Sequence, residues 1–335
     1  MLHPPSSLPA DPSVASLAIY GFSIVCSIAK TRLAHADLVA LSSDTTIVTI
    51  PALRSGWRAG QHVRIRIPAL GRSGFEAHPF TIASAPDTEG LVLMCKVAGD
   101  WTRRLHDFAS VTKTTTIVLE GPFGGLGNTL LPSFSGVVVT AGGSGISHAL
   151  SLSHDLLARA PSGAVRARAV DLVWTIPTED IAKPLMPTLI DMVEDARAFE
   201  STCLEGRKMH QSMPSPVAFR VHIHVTRCPA SSPITLELKR LSNPFLHPLE
   251  KPSYYTCLSG INVLRNRPDF ASILHGVADE VIDQGKRERT QPSGICVTAC
   301  GPGSMVDSVR NAARGLGRKT RDAGGVDYEE EYFEL

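Results

Sequence analysis

Four short stretches carry residue types at spacings that could do chemistry. Residues 140–149, TAGGSGISHA, follow an apolar run and open a helical one. Gly142, Gly143 and Gly145 let a backbone turn tightly and approach a phosphate. A helix beginning near Ile146 would offer that phosphate unbonded N–H groups and partial positive charge. Such turns also occur without a ligand; the strand–turn–helix context favours the nucleotide. Residues 298–309, TACGPGSMVDSV, repeat the arrangement at a later strand and place Cys300 at its carboxyl end, where open α/β sheets bind ligands. A cysteine there is otherwise an inert small hydrophobe. Residues 96–105, KVAGDWTRRL, end a strand and start a helix. That turn could seat a phosphate with Lys96 as counter-charge, or be an ordinary helix start capped by Thr102 or Asp100. Residues 76–86, EAHPFTIASAP, gather a histidine, a proline, an aromatic and hydroxyls after an alternating apolar run. That places them at a rim, where a rigid scaffold meets a ligand.

The elements that must hold these stretches fall into two groups. Between residues 35 and 130 the runs TTIVTIPAL, QHVRIRIPAL, GLVLMCKVAG and TTTIVLEGPFG alternate or are β-branched, separated by Gly and Pro. They predict a small antiparallel barrel interrupted by one short helix at TRRLHDFA. After LPSFS at 131–135 the pattern becomes GVVVTAGGSG, ISHALSLSHDLLARA, AVDLVWTI: strand, turn, helix, strand, the signature of a parallel sheet. Helices near 187–199 and 269–283, strands at FRVHIHVT and GICVTAC, a helix at GSMVDSVRNAARG and a last extended piece at VDYEEEYFEL continue it. Residues 227–253, rich in Pro and Ser, predict a surface loop. The domain division is 1–33, 34–132 and 133–335.

The chain has 335 residues, 43% of them hydrophobic, enough for about two cores. A net charge of +1 gives no sign of a nucleic-acid partner. Seven cysteines lie at 26, 95, 203, 228, 257, 296 and 300, none spaced C-x-x-C. That count and spacing argue against a disulfide framework or zinc site and fit a reducing compartment. His222 and His224 in VHIHV share a sheet face, and read as ordinary strand histidines rather than metal ligands. The uncharged run at 13–29, followed by Lys30 and Arg32, reads either as an amphipathic helix or as the stump of a membrane helix with everything downstream in the cytosol.

Taken together and in order, the four stretches resemble the flavin- and nicotinamide-binding half of the ferric reductase and NADPH oxidase family, over about residues 35–335. HPFT (78–81) is similar to that family's flavin motif and GDWT (99–102) to its flavin-phosphate motif. GGSGIS (142–147) resembles the nicotinamide-phosphate turn, CGPGSM (300–305) the nicotinamide-ring motif, and RPDF (267–270) a further element of the cofactor domain. The resemblance implies a two-domain ferredoxin-reductase-like fold: an antiparallel FAD-binding β-barrel, then an α/β parallel-sheet domain for NAD(P)H. It implies that Thr81 hydrogen-bonds near flavin N5, that His78, Pro79 and Phe80 line the flavin, and that Lys96, Gly99, Trp101 and Thr102 hold its diphosphate. Gly142, Gly143, Ser144, Gly145 and Ile146 would seat the dinucleotide phosphates. Cys300, Gly301 and Pro302 would meet the nicotinamide, with Cys300 orienting hydride transfer rather than acting as a nucleophile. Phe333 would lie over the flavin.

The implied activity is a reductase module that passes electrons from NADPH through FAD to one-electron acceptors, as in ferric- and cupric-chelate reductases of iron and copper uptake. The alternatives are a superoxide-generating oxidase module and a non-catalytic regulatory domain. By the same resemblance the place is the cytoplasmic face of the plasma membrane. Haem and its paired histidines would belong to a membrane half that this chain lacks, so a fragment, a truncated gene model or a partial homologue is expected. One departure concerns the strand DLVW: the family follows its tryptophan with an arginine, and here Pro177 stands in that place. NADPH is expected by family, NADH is possible, and Lys183 is the substitute cation.

Overall fold

The computed structural model describes residues 12–86, 90–209, 213–227 and 260–332. Helix α1 (Pro12–Ala29) leads into six antiparallel strands: β1 (Thr31–Ala40), β2 (Thr45–Ile50), β3 (His62–Arg66), β4 (His78–Thr81), β5 (Leu91–Lys96) and β6 (Thr114–Phe123). Helix α2 (Asp100–Val111) connects the last two. The sheet order is β4-β3-β6-β1-β2-β5, and an antiparallel bridge from Ile82, just past β4, to Leu93 in β5 brings the two edges together into a near-closed barrel. Period-two alternation does the work expected of it: Val63 and Ile65 of β3 are buried while Arg64 between them is exposed. On α2, Trp101, Leu105 and Ala109 recur every fourth residue and pack onto that core. The flavin-like motif proved to be a strand itself, and β1 had no separate alternation signal.

The second half folds as β7 (Gly136–Gly142), α3 (Ile146–Arg159), β8 (Ala169–Ile176), α4 (Met186–Lys208), β9 (Ala218–Val225), β10 (Ile261–Leu264), α5 (Phe270–Glu288), β11 (Ile295–Gly301), α6 (Gly303–Arg314), α7 (Arg318–Asp322) and β12 (Val326–Tyr332). All six strands are parallel, in the order β10-β9-β8-β7-β11-β12. Every residue of β7 and β11 is buried. Val137 and Val139 pack with α3 and α4 on one face, and Val138 packs with α5 and α6 on the other. Cover on both faces is why these strands read as unbroken apolar runs. Strand order reverses between β7 and β11, the switch point at which a doubly wound sheet opens a crevice at its carboxyl edge.

The described part of α1 exposes Val14, Leu17, Ile19, Tyr20, Phe22 and Val25. Among the described residues no helix is long and apolar enough to cross a membrane. The two strand histidines have local partners: His224 Nδ1 lies 2.9 Å from Asn266 Oδ1, and His222 Nε2 lies 3.6 Å from Asp171 Oδ2. No group of three or more described His, Cys, Asp or Glu residues gathers as a metal site. Most of the Pro/Ser-rich stretch at 227–253 lies outside the described residues.

Asp171 of β8 is the most deeply buried carboxylate of this sheet's ion pairs. Arg220 Nε donates to it at 2.6 Å while Arg220 Nη1 reaches Glu280 at 2.7 Å. Burial alone would raise the Asp171 pKa; the bonds and charges of His222 and Arg220 outweigh it and hold the carboxyl below its ordinary value. Of the two partners, Arg220 sits at true hydrogen-bond distance. A depressed folded-state pKa means this stability is present above the unfolded carboxyl value, about 3.9, and is lost as pH falls below it. Asp171→Asn is therefore expected to cost about 1–3 kcal/mol at pH 7. In chemical denaturation from pH 3 to 7, the gap between parent and variant should close below about pH 4.

Candidate functional site

Strand β4 presents HPFT antiparallel to β3, with Thr81 opposite His62 and Phe80 opposite Val63. The Thr81 hydroxyl, His78 Nε2 and Trp101 Nε1 are all buried without a hydrogen-bond partner. His78 Nε2 comes within 3.4 Å of Glu76, out of line for a bond. The His78 ring stacks on Trp101 with centroids 4.4 Å apart, and Phe80 lies 5.8 Å from the same indole. Trp101 is thus chiefly a core residue, although its N–H is left free. Burying three unmatched polar atoms at one rim costs about 1–3 kcal/mol each. A flat heterocycle carrying donors and acceptors would relieve that cost, so these residues fit a flavin.

At the start of α2, Thr102 takes the capping role that the sequence left open beside the phosphate one. The Thr102 hydroxyl accepts from the N–H groups of Ala98 and Gly99 at 2.9 and 3.0 Å and donates to the Gly99 carbonyl at 3.0 Å. It shapes the turn as a cap. What remains for a phosphate is the set of unbonded N–H groups of the first helical turn. Lys96 ends β5 with its ammonium 4.0 Å from Asp44, and it faces the nucleotide half.

At the other end of that gap lies the turn after β7. Gly143 has φ of +53°, a left-handed conformation with open space beside it. Gly145 serves a different purpose: a Cβ there would stand 2.2 Å from the Cys300 carbonyl oxygen and 3.0 Å from its sulfur. The turn after β7 and the end of β11 therefore touch backbone to backbone. Gly142 likewise lies under Pro302, whose Cδ is 2.6 Å from where a Cβ would be. Trp174 of β8 donates its indole N–H to the Gly143 carbonyl at 3.0 Å and fixes the turn from the other side. A cavity of about 320 Å³ opens between Gly143, Ser144, Ser147, Thr178 and Asp180 on one wall and residues 41–45 with Lys96 on the other.

Cys300 occupies the expected strand end but is wholly buried. Burial, and then the Glu331 carboxylate, push its thiol well above the ordinary range. It is a neutral thiol and not a nucleophile. Phe333 lies outside the described residues. Pro177 follows β8, its carbonyl accepting from the Arg227 N–H at 3.0 Å, and Lys183 is held 2.5 Å from Asp180.

One residue that no motif marked, Ser151, joins the halves. Ser151 of α3 accepts from the Gly60 N–H at 3.3 Å and donates to the Ser84 carbonyl at 3.1 Å, three residues past Thr81. His148, one turn earlier, has its Nδ1 2.9 Å from Glu331 Oε2, close but not aligned as a hydrogen bond. Glu331 stands opposite Cys300 in the β11–β12 register. The sequence signal of Ser151 and Glu331 was weak: a serine within an apolar helix, and one acid in a run of three.

Gly145→Ala should destabilise the fold by about 2–3 kcal/mol, as overpacking against backbone does. Gly143→Ala should cost only about 1–2 kcal/mol, the left-handed penalty alone. Denaturant unfolding of both variants checks the order; equal costs would refute the division of roles between the two glycines.

Comparison with known proteins agrees with this geometry. Residues 28–126 match the family described as FAD-binding domain, and residues 134–314 match the Ferric reductase NAD binding domain. Human dual oxidase 2 is 26% identical over 272 residues, covering 79% of this chain and 16% of its own length. The dual oxidase of Drosophila melanogaster is 26% identical over 262 residues, 76% of this chain and 15% of its own. The chain thus spans about one sixth of the length of these relatives. Among solved structures, a ferredoxin NADP+ reductase from Neisseria gonorrhoeae with bound FAD and NADP superposes with a TM-score of 0.52 at 16% identity, over 90% of this chain and 98% of that one. A flavohemoglobin from Malassezia yamatoensis gives 0.53 at 15%, over 96% and 66%. These likenesses establish a ferredoxin-reductase-like fold. With its second domain matched over more than half of the chain and an FAD-binding domain ahead of it, this protein belongs to the ferric reductase NAD binding domain family, as a flavoprotein with sites for FAD and NAD(P).

Proposed function

We propose that the chain is a reductase module passing electrons from NAD(P)H through FAD to one-electron acceptors, with ferric or cupric chelates as the physiological acceptors. The observation that carries the reading is the seam at Ser151, which bonds the HPFT side of the barrel to the helix that follows the nucleotide turn. Bound at the barrel rim, FAD would supply the exchange between two-electron hydride chemistry and single-electron transfer. The protein's share is positional. The unpartnered Thr81 hydroxyl can both donate and accept, which suits a ring nitrogen that changes roles. The first turn of α2 and Lys96 supply positive potential for phosphates. Cys300, Gly301 and Pro302 wall the end of β11 against the turn after β7, and the neutral thiol adds no competing nucleophile. Ferric chelates are preferred as acceptors because the matched nucleotide domain is that of ferric reductases. In this reading the module works at the cytoplasmic face of the plasma membrane, its electrons leaving through a haem-bearing membrane partner. The exposed apolar side chains of α1 support that placement.

A second reading, superoxide formation, is favoured by the dual oxidase names of the curated relatives. Anaerobic assay with ferric citrate separates the two. Continued formation of Fe(II) without oxygen supports the chelate reductase, whereas NAD(P)H oxidation that needs oxygen and yields dismutase-sensitive cytochrome c reduction supports the oxidase.

Purified protein should bind FAD in the absence of nicotinamide and reduce ferricyanide with NAD(P)H. Thr81→Val removes one hydrogen bond, about 1–1.5 kcal/mol, so flavin reduction in stopped flow should slow roughly tenfold while FAD content is kept. A protein that stays colourless with excess FAD would refute the flavin site. Loss of FAD from the valine variant would make Thr81 a structural residue.

A further inference from the structure

We propose that the nucleotide site reads an unphosphorylated adenosine ribose, which makes NADH the preferred donor, and that Asp180 is the specificity-determining residue. This rests on the NAD(P)H-to-FAD reading above. In a dinucleotide-binding α/β sheet the segment after the second strand decides the matter: an acid there accepts from the ribose 2′-hydroxyl, and an arginine nearby accommodates a 2′-phosphate. Here that strand is β8, and the residues after it are Pro177, Thr178, Glu179 and Asp180. The indole of Trp174 fastens the end of β8 to the carbonyl of Gly143, so the segment is held at a fixed distance from the phosphate-binding turn.

The charge around the cavity points the same way. Thr178 and Asp180 line it with Ser144 and Ser147, and the barrel contributes Lys96 and Asp44. Among the described residues, the charged groups lining it are thus two carboxylates against one ammonium, and that ammonium lies 4.0 Å from Asp44. Among the described residues, two cations near this loop are engaged. Lys183 holds Asp180 at 2.5 Å. Arg265 closes on Glu179 through Nε at 3.2 Å and Nη2 at 2.7 Å, with both side chains largely buried. The two-nitrogen fork that suits a phosphate dianion is thereby spent on a carboxylate of the same loop. A 2′-phosphate would meet the Asp180 carboxylate and would need Lys183 to leave its partner. A ribose hydroxyl needs only an acceptor, which Asp180 supplies while still paired. Among the described residues the exposed Arg227, whose main-chain N–H bonds the Pro177 carbonyl, is a rival cation.

The test uses the full chain loaded with FAD. Ferricyanide-coupled kcat/KM is measured for NADH and NADPH, and calorimetry compares 5′-AMP with 2′,5′-ADP, which differ at the 2′-position. The parent should favour NADH by about tenfold or more, and 5′-AMP should bind more tightly than 2′,5′-ADP. Asp180→Asn should lower NADH efficiency about fivefold and narrow the preference, and Asp180→Arg should invert it in both assays. The side chain is exposed, and unchanged FAD content and melting temperature verify that each variant is folded. A parent that prefers NADPH, or an unchanged ratio in Asp180→Arg, overturns the proposal. Collapse of an NADPH preference in Arg227→Ala or Lys183→Ala would overturn it and name the true reader. Failure of both dinucleotides to reduce the flavin, with neither nucleotide bound, would instead overturn the underlying NAD(P)H reading.

Discussion

The backbone contact between the turn after β7 and the end of β11 is the constraint on which the site depends. It exists because Gly145 has no side chain where the Cys300 carbonyl passes, and because Gly142 leaves room for Pro302. Two loops from strands that lie side by side but are far apart in the chain are thereby locked together at the switch point of the sheet. Glycine signatures in such turns invite a single explanation, close approach to a phosphate. Here only Gly143, with its left-handed φ and open surroundings, is free to serve that purpose; its neighbours serve the packing of protein on protein.

From that locked pair the geometry extends outward through α3. Its first turns carry His148 toward Glu331 and Ser151 toward Gly60 and Ser84. One helix thus starts at the nucleotide turn and bonds to the loop that follows the flavin-like strand. Relative position of two redox cofactors is the quantity that a protein of this kind must control, since the chemistry belongs to the cofactors themselves. A serine bridging two backbone groups is a small device, yet it is directional, and it satisfies the Gly60 N–H and the Ser84 carbonyl at the seam.

The electrostatics of the two walls differ in kind. At the barrel rim, buried polar atoms of Thr81, His78 and Trp101 have no hydrogen-bond partner. Around the nucleotide cavity, charges are already paired among themselves: Lys96 with Asp44, Lys183 with Asp180, Arg265 with Glu179. A site whose cations are internally compensated has little to offer a dianion and loses little by receiving a neutral sugar hydroxyl. The same reasoning keeps Cys300 a thiol, since burial and a neighbouring carboxylate both oppose its ionisation.

The sequence by itself determined the division into a barrel and a parallel sheet, because period-two alternation and unbroken apolar runs report directly whether one face or two are buried. It also determined the places of HPFT, GDWT, GGSG and CGP at element ends, because glycine, proline and capping residues act on their own local backbone. Tertiary structure alone decided what those residues do. Trp101 went into the core because its helix lies on the barrel. Lys96 turned to the nucleotide side, and Arg265 was committed to Glu179. The seam through Ser151 and the pairing of His148 with Glu331 were illegible for the same reason: they join positions 91 residues apart at Ser151 and farther at Glu331, and no local pattern encodes a partner that only the fold brings near.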